Sequence, residues 1–304
     1  MKRYLILNCD DFGQSKAANA AIMHLLEEGK VSSATIMPPA PAFQEAAAWA
    51  RSKGEGKVGL HLTLTSEFSA LRWRSLTGRK SLHDDTGYMH KTVLEFEKKA
   101  QTQDVRAEIA AQFQAVRDAG LNITHVDNHM GSLYGIETGR SHLPYVLWQC
   151  SIRRLPFRLF RKVDPNDTML AAVPGIDEIL AKLTALADTL GVGMPDYLLS
   201  HPFHVEHGET YDTFKQSLIH KIYNLPEGVC ETYIHPGVDD AEMRRLIPSW
   251  EKRVWEYRLA LDEDFAYAMR DAGVILTDYR YVRENLRRSR IKSAFGLLKR
   301  LTKK

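Results

Sequence analysis

Apolar residues along this chain follow two alternating rhythms. Short runs are dense in Val, Ile, Leu and Tyr: from Tyr4, Val31–Met37, Lys57–Leu64, Ile123–Asp127, Asp196–Ser200, Val229–Ile234 and Val274–Thr277. Between them lie longer stretches whose apolar residues recur every three or four positions, the period of one helix face. These predict helices over Lys16–Glu28, Ala42–Lys53, Val93–Ala119, Leu143–Trp148, Asp177–Leu190, Thr210–Tyr223 and Trp250–Ala272. Ser15 is placed to cap the first of them and Gly29 to stop it. A further strand is expected near Phe157.

Strands alternating with helices argue for parallel strands joined by helical crossovers. Seven or eight such units in roughly 280 residues match a distorted or incomplete (β/α) TIM-like barrel, with reactive groups at the C-terminal ends of the strands. An open doubly wound sheet is the runner-up. There is no GxGxxG after a strand and no P-loop, so the nucleotide motifs are absent. No linker-like stretch divides the chain. Residues 1–280 are expected to form a single catalytic domain and 281–304 a basic amphipathic C-terminal helix.

Composition changes this picture little. The chain is 44% hydrophobic and 26% charged with a net charge of +3, so charge balance alone names no partner. No apolar run reaches the roughly 18–20 residues needed to span a bilayer. Met1-Lys2-Arg3 leads straight into a short strand pattern, unlike a secretory leader. Cys9, Cys150 and Cys230 are far apart and in no CxxC spacing, which argues against a disulfide framework. A cytoplasmic location is expected.

The chemistry gathers at strand ends. Asp10 and Asp11 close the first apolar run side by side. Two adjacent carboxylates there repel and lose solvation unless a cation sits between them or one keeps a proton. Capping the next helix would need one acid, not two. His61 lies within Leu60-His61-Leu62, where a lone histidine more often simply fills core. His125, Asp127 and His129 alternate, so an extended backbone puts all three on one face. His235-Pro236-Gly237 follows a clean strand, and His201 ends another. Together these residues suggest a hydrolase with one divalent ion bound by a carboxylate and two imidazoles. A second carboxylate would act as base and a histidine as acid.

These motifs resemble the YdjC/ChbG-like carbohydrate deacetylases. The matching stretches are Asn8-Cys9-Asp10-Asp11-Phe12-Gly13, Gly59–Leu64, Thr124–His129 and His235-Pro236-Gly237. The resemblance implies a distorted (β/α) barrel, one Mg²⁺ or Zn²⁺ ion, and removal of an N-acetyl group from an amino sugar or short N-acetylated oligosaccharide. It implies Asp11, His61 and His125 as metal ligands, Asp10 as general base and His235 as general acid. Asp127, His129 and His201 are left to surrounding support or substrate contact. The run His129-Met130-Gly131-Ser132-Leu133 departs from the histidine-rich continuation of the chitooligosaccharide type, so the sugar-facing wall is expected to differ.

Two readings compete with deacetylation: a metal-dependent phosphoesterase, and a non-catalytic carbohydrate-binding protein with a vestigial site. The basic tail suits a peripheral membrane or partner contact, or packing on the barrel, and homodimerisation stays open. No nucleic-acid motif is present, so nucleic acid is not an expected partner. The long polar loop 66–90, with Arg72, Arg74 and Arg79, and the Arg153–Lys162 cluster are candidates for holding an acidic or phosphorylated sugar.

Overall fold

The computed structural model describes residues 2–164 and 166–286. Its elements in chain order are β1 (Arg3–Phe12), α1 (Lys16–Glu27), β2 (Ser33–Ile36), α2 (Phe43–Lys53), β3 (Val58–Leu62), α3 (Val93–Lys99) and α4 (Thr102–Asp118). They continue through β4 (Val126–Asn128), α5 (Leu143–Arg153), α6 (Thr168–Ala171), α7 (Ile176–Leu190), β5 (Tyr197–Leu199), α8 (Tyr211–Tyr223) and β6 (Gly228–Ile234). The last are α9 (Ala241–Leu246), α10 (Trp250–Leu261), α11 (Glu263–Asp271), β7 (Val274–Leu276) and α12 (Tyr279–Tyr281).

The strands run parallel in the order β4-β3-β2-β1-β6-β5. The ring closes through irregular chain, because Val126 of β4 bridges to Phe157 and Lys162 bridges to Tyr197 of β5. Strand β7 instead pairs with the first residues of β1, Arg3 to Leu5. This is the distorted TIM-like barrel the alternation predicts, with one wall reduced to the segment 156–162.

Odd-numbered Leu5, Leu7 and Cys9 of β1 join the apolar layer between strands and helices. Ile6 joins Val229, Tyr279 and Val282 in a small plug that fills the barrel at its N-terminal end. Above that plug the inward positions turn polar: Asn8, Thr35, Asp127, Arg158 and Glu231 are all buried and hydrogen-bonded to one another. The three cysteines are buried and free.

Two predicted helices are each divided. Val93–Ala119 breaks at Ala100 and Gln101, which are extended, with the Gln101 N–H donating to Ser81 Oγ. Trp250–Ala272 breaks at Asp262, whose carboxylate accepts from the Asp264 N–H and starts α11. A side-chain cap offers the backbone an alternative to the helical ladder, and helical periodicity does not register it. Most of the predicted tail helix, 287–304, lies outside the described residues. Among the described residues no helix is long and apolar enough to cross a membrane.

Candidate metal centre

Period two along β1 would send Asp10 and Asp11 to opposite faces. The chain avoids this with a bulge: Cys9 pairs with Ala34 and Phe12 with Ile36, so β1 spends three steps where β2 spends two. Asp11 takes φ 65°, a left-handed conformation uncommon outside glycine. The extra residue turns the carboxylate back, and both acids line one cleft of about 500 Å³. Strain of this kind on a non-glycine residue clusters at functional sites.

Asp11, His61 and His129 form a buried group whose candidate ligand atoms all lie within 4.8 Å of one another. His61 Nε2 is 3.5 Å and His129 Nδ1 3.3 Å from Asp11 Oδ1. The far nitrogens are engaged: His61 Nδ1 lies 2.7 Å from Asp127 Oδ1, and His129 Nε2 lies 2.8 Å from Glu67 Oε2. A carboxylate behind each imidazole holds the proton on the far nitrogen and aims the other lone pair inward, as in metal sites. Asp11 Oδ1 makes no hydrogen bond despite its burial. Charge-assisted hydrogen bonds would be about 2.7–2.9 Å. Ligand atoms held about 2.0–2.1 Å from a tetrahedral ion are instead separated by about 3.4 Å. The residues therefore fit a small divalent ion.

Without an ion the same carboxylates favour protonated rings. Burial alone would lower the His61 pKa, but Asp127 and Asp11 outweigh it and raise it to about 10. Burial is likewise overcome by Glu67 and Asp11 at His129, which rises to about 9. Burial would raise the Asp11 carboxyl, yet Arg253 with both histidines holds it well below the ordinary range.

His125 is not brought to this group. It does lie on the inward face with Asp127 and His129, as the alternation predicts. However, strand residues two apart are separated by about 6.6 Å along the strand, so the three sit at different depths. His125 stacks flat on Tyr279 at 3.8 Å, beside Gly59, where any Cβ would come within 2.5 Å of the ring. Its Nδ1 meets Thr124 Oγ1 at 2.8 Å, and burial pushes its pKa down to about 3. The third residue of the buried group is His129 rather than His125.

Asp10 sits beside the group, with an oxygen within 4.8 Å of His61 and Asp127 ligand atoms. That second set of donors is less suited to an ion, because Arg158 Nη1 already lies 2.6 Å from Asp10 Oδ2 and 3.0 Å from Asp127 Oδ2. Asp10 Oδ1 accepts from both Arg158 Nη2 and Asn8 Nδ2, whereas Oδ2 accepts from Arg158 Nη1 alone. Oδ2 thus keeps a lone pair free.

The sequence profile described as "YdjC-like protein" matches residues 4–271. The chain belongs to the YdjC-like family. A curated relative from Geobacillus stearothermophilus, named carbohydrate deacetylase, is 30% identical over 217 residues, covering 68% of this chain and 82% of the relative. A carbohydrate deacetylase of Thermoanaerobacter pseudethanolicus is 23% identical over 279 residues, 91% of this chain and 98% of its own. The fold matches a crystal structure from Enterococcus faecalis, provisionally named a cellobiose-phosphate cleavage protein. Its TM-score is 0.71 at 24% identity, over 92% of this chain and 98% of that one.

Across the cleft of this YdjC-like chain, His235 is fixed through its backbone, whose N–H donates to Glu256 Oε2 at 2.7 Å. Its Nδ1 is 3.9 Å from the same oxygen. His201 is buried behind it, with Nε2 2.8 Å from Glu256 Oε1, and does not line the cleft. Burial would raise the Glu256 carboxyl, but these histidines hold it far below its ordinary value. Phe68, Met130, Tyr134, Phe203 and Tyr233 give the cleft an apolar wall.

Sequence reasoning missed Arg158, Arg253, Glu67 and Glu256. Arg158 lay inside a stretch read as a basic cluster, yet it points into the barrel and binds Asp10, Asp127 and Glu231. Its neighbour Arg161 pairs with Asp188. In loop 66–90, Arg72 pairs with Asp84 and Arg79 with Asp104, so these cations hold the loop together. The loop's contribution to the cleft is Glu67 and Phe68.

Proposed function

We propose that this protein is a metal-dependent N-deacetylase of an N-acetylated sugar, with Asp11, His61 and His129 as the ligands of one divalent ion. The observation that carries this reading is the unpartnered Asp11 Oδ1 facing two imidazole nitrogens at 3.3 and 3.5 Å. The names of the relatives supply the reaction class. Two nitrogens among three donors suit Zn²⁺ or a similar transition ion better than Mg²⁺. Bound there, such an ion polarises an acyl oxygen and acidifies a water molecule.

The chain's own groups supply the proton transfers. Asp10 Oδ2, the oxygen with a free lone pair, accepts a proton from the water as its oxygen bonds to the acyl carbon. Arg158 keeps the carboxylate plane fixed meanwhile. His235 donates a proton to the sugar nitrogen as the carbon–nitrogen bond breaks, leaving acetate and a free amine. Glu256 holds the His235 turn against α10.

The phosphoesterase alternative commonly uses two ions about 3.5–4 Å apart. Among the described residues the second donor set is already bridged by Arg158, which favours the single-ion reading. Acetate release from N-acetylglucosamine and its short oligomers, with Zn²⁺, Co²⁺ or Mg²⁺ and then with a chelator, tests the proposal. Chelator-sensitive acetate release is expected. Phosphate release from sugar phosphates with no acetate from any N-acetyl sugar would replace it.

A further inference from the structure

Two arginines line the cleft, and they differ in one respect. Arg158 directs Nε to Glu231 and both terminal nitrogens to Asp10. Arg253 is equally buried, its side chain 8% exposed, and its Nη2 donates to Asp11 Oδ2 at 2.8 Å. Its Nη1 has no partner. A buried cationic donor left unpaired has lost its hydration with no hydrogen bond in return, so its place in a binding cleft points to a ligand atom. The position is well fixed. Arg253 lies in the first turn of α10, its backbone carbonyl accepts from the Gly237 N–H at 3.2 Å, and its guanidinium centre is 5.8 Å from the Phe68 ring.

The guanidinium is planar, and Asp11 fixes its orientation through Nη2. A group reaching Nη1 therefore sits close to the Asp11 carboxylate that Nη2 holds. Under the deacetylase reading, on which this inference rests, that group is the acyl end of the substrate. We propose that Arg253 is a catalytic residue whose Nη1 donates to the acyl oxygen of the substrate while Nη2 steadies Asp11. As water adds, the carbon–oxygen double bond opens and negative charge collects on that oxygen. A pre-placed cationic donor stabilises this charge more than it stabilises the starting amide.

Arg253→Lys keeps the charge but loses the fork, and Arg253→Gln loses the charge. Both are to be compared with wild type as Zn²⁺-loaded full-length protein. Three readouts are needed: bound zinc by elemental analysis, kcat and KM, and calorimetric affinity for two ligands. One ligand is a methylphosphonamide analogue of the N-acetyl sugar, tetrahedral where the acyl carbon would be. The other is the N-acetyl sugar itself, measured in an Asp10→Asn background. With zinc retained, kcat and affinity for the tetrahedral analogue are expected to fall about 100-fold, and substrate affinity about threefold or less. Equal losses for both ligands would assign Nη1 to a sugar hydroxyl and overturn the proposal. Loss of zinc that accounts for the whole activity change would reduce Arg253 to support of Asp11 and also overturn it. A wild-type protein that releases no acetate and binds neither ligand overturns the deacetylase reading, and the inference with it.

Discussion

The barrel interior has two polar layers that differ in how their hydrogen bonds close. In the lower one, the Glu231 carboxylate is shared between Arg158 and the Tyr279 hydroxyl, and His125 lies flat against Tyr279. In the upper one, Asp11, His61 and His129 face one another with one nitrogen of each ring directed inward, and Asp11 Oδ1 has no hydrogen-bond partner. Both layers are buried and both contain acids and a histidine. The lower layer matches its acids within the protein, apart from the His125 Nε2 atom. The upper layer matches only the outer atoms and leaves the inner ones for something the chain does not supply. Burial and charge alone therefore do not distinguish a site from its support; the direction of the unsatisfied atoms does. Burial pushes Glu231 up to about 7 despite the opposing pull of Arg158 and the Tyr279 hydroxyl.

The contrast can be broken at several depths. The largest effect is expected at Asp10→Asn, which keeps every proposed ligand but removes the free lone pair. Hydrolysis should fall about 10²–10⁴-fold with zinc content unchanged, as read by acetate assay and elemental analysis. Undiminished turnover would remove Asp10 from the role of base. Next are the carboxylates behind the imidazoles. Asp127→Asn and Glu67→Gln should each weaken zinc affinity about 10–100-fold, measured by competition with a chromophoric chelator, while Glu231→Gln should change it far less. Zinc affinity equally sensitive to Glu231 would erase the distinction between the layers.

A smaller, graded effect should follow pH. In the metal-free protein His61 and His129 are raised to about 10 and about 9. Both rings are thus protonated near neutrality, and binding an ion must expel about two protons. Zinc affinity should rise steadily between about pH 6 and pH 8; a flat profile would contradict the ligand set. The sign for stability is opposite. Raised folded-state values stabilise the metal-free fold below the ordinary histidine value near 6.5, and that stabilisation fades as pH rises through about 9 and 10. Thermal melts with chelator present should show it.

Much of this was legible in the sequence. Alternating rhythms give the parallel barrel, and the motifs at strand ends carry the resemblance to the family, which the profile match over residues 4–271 shows. The period of two correctly puts residues 125, 127 and 129 on one face. It carries no information on depth, which depends on where the strand meets its neighbours. That is why the sequence pattern does not separate His125, low in the barrel, from His129, beside Asp11. The bulge at Asp11 was equally hidden, because it depends on the register with β2. Arg158 and Arg253 were invisible for a third reason. Each comes from a segment distant in sequence from the acid it binds, 148 and 242 residues away, and nothing local marks an arginine as inward-facing.

The account rests on one substitution of ligand, His129 in place of His125, and zinc stoichiometry in two variants tests it directly. His129→Ala, purified without metal and dialysed against zinc with weak chelator, should retain almost none, while His125→Ala should retain one ion per chain. An empty His125→Ala alongside a filled His129→Ala would contradict the assignment and return the third ligand position to His125.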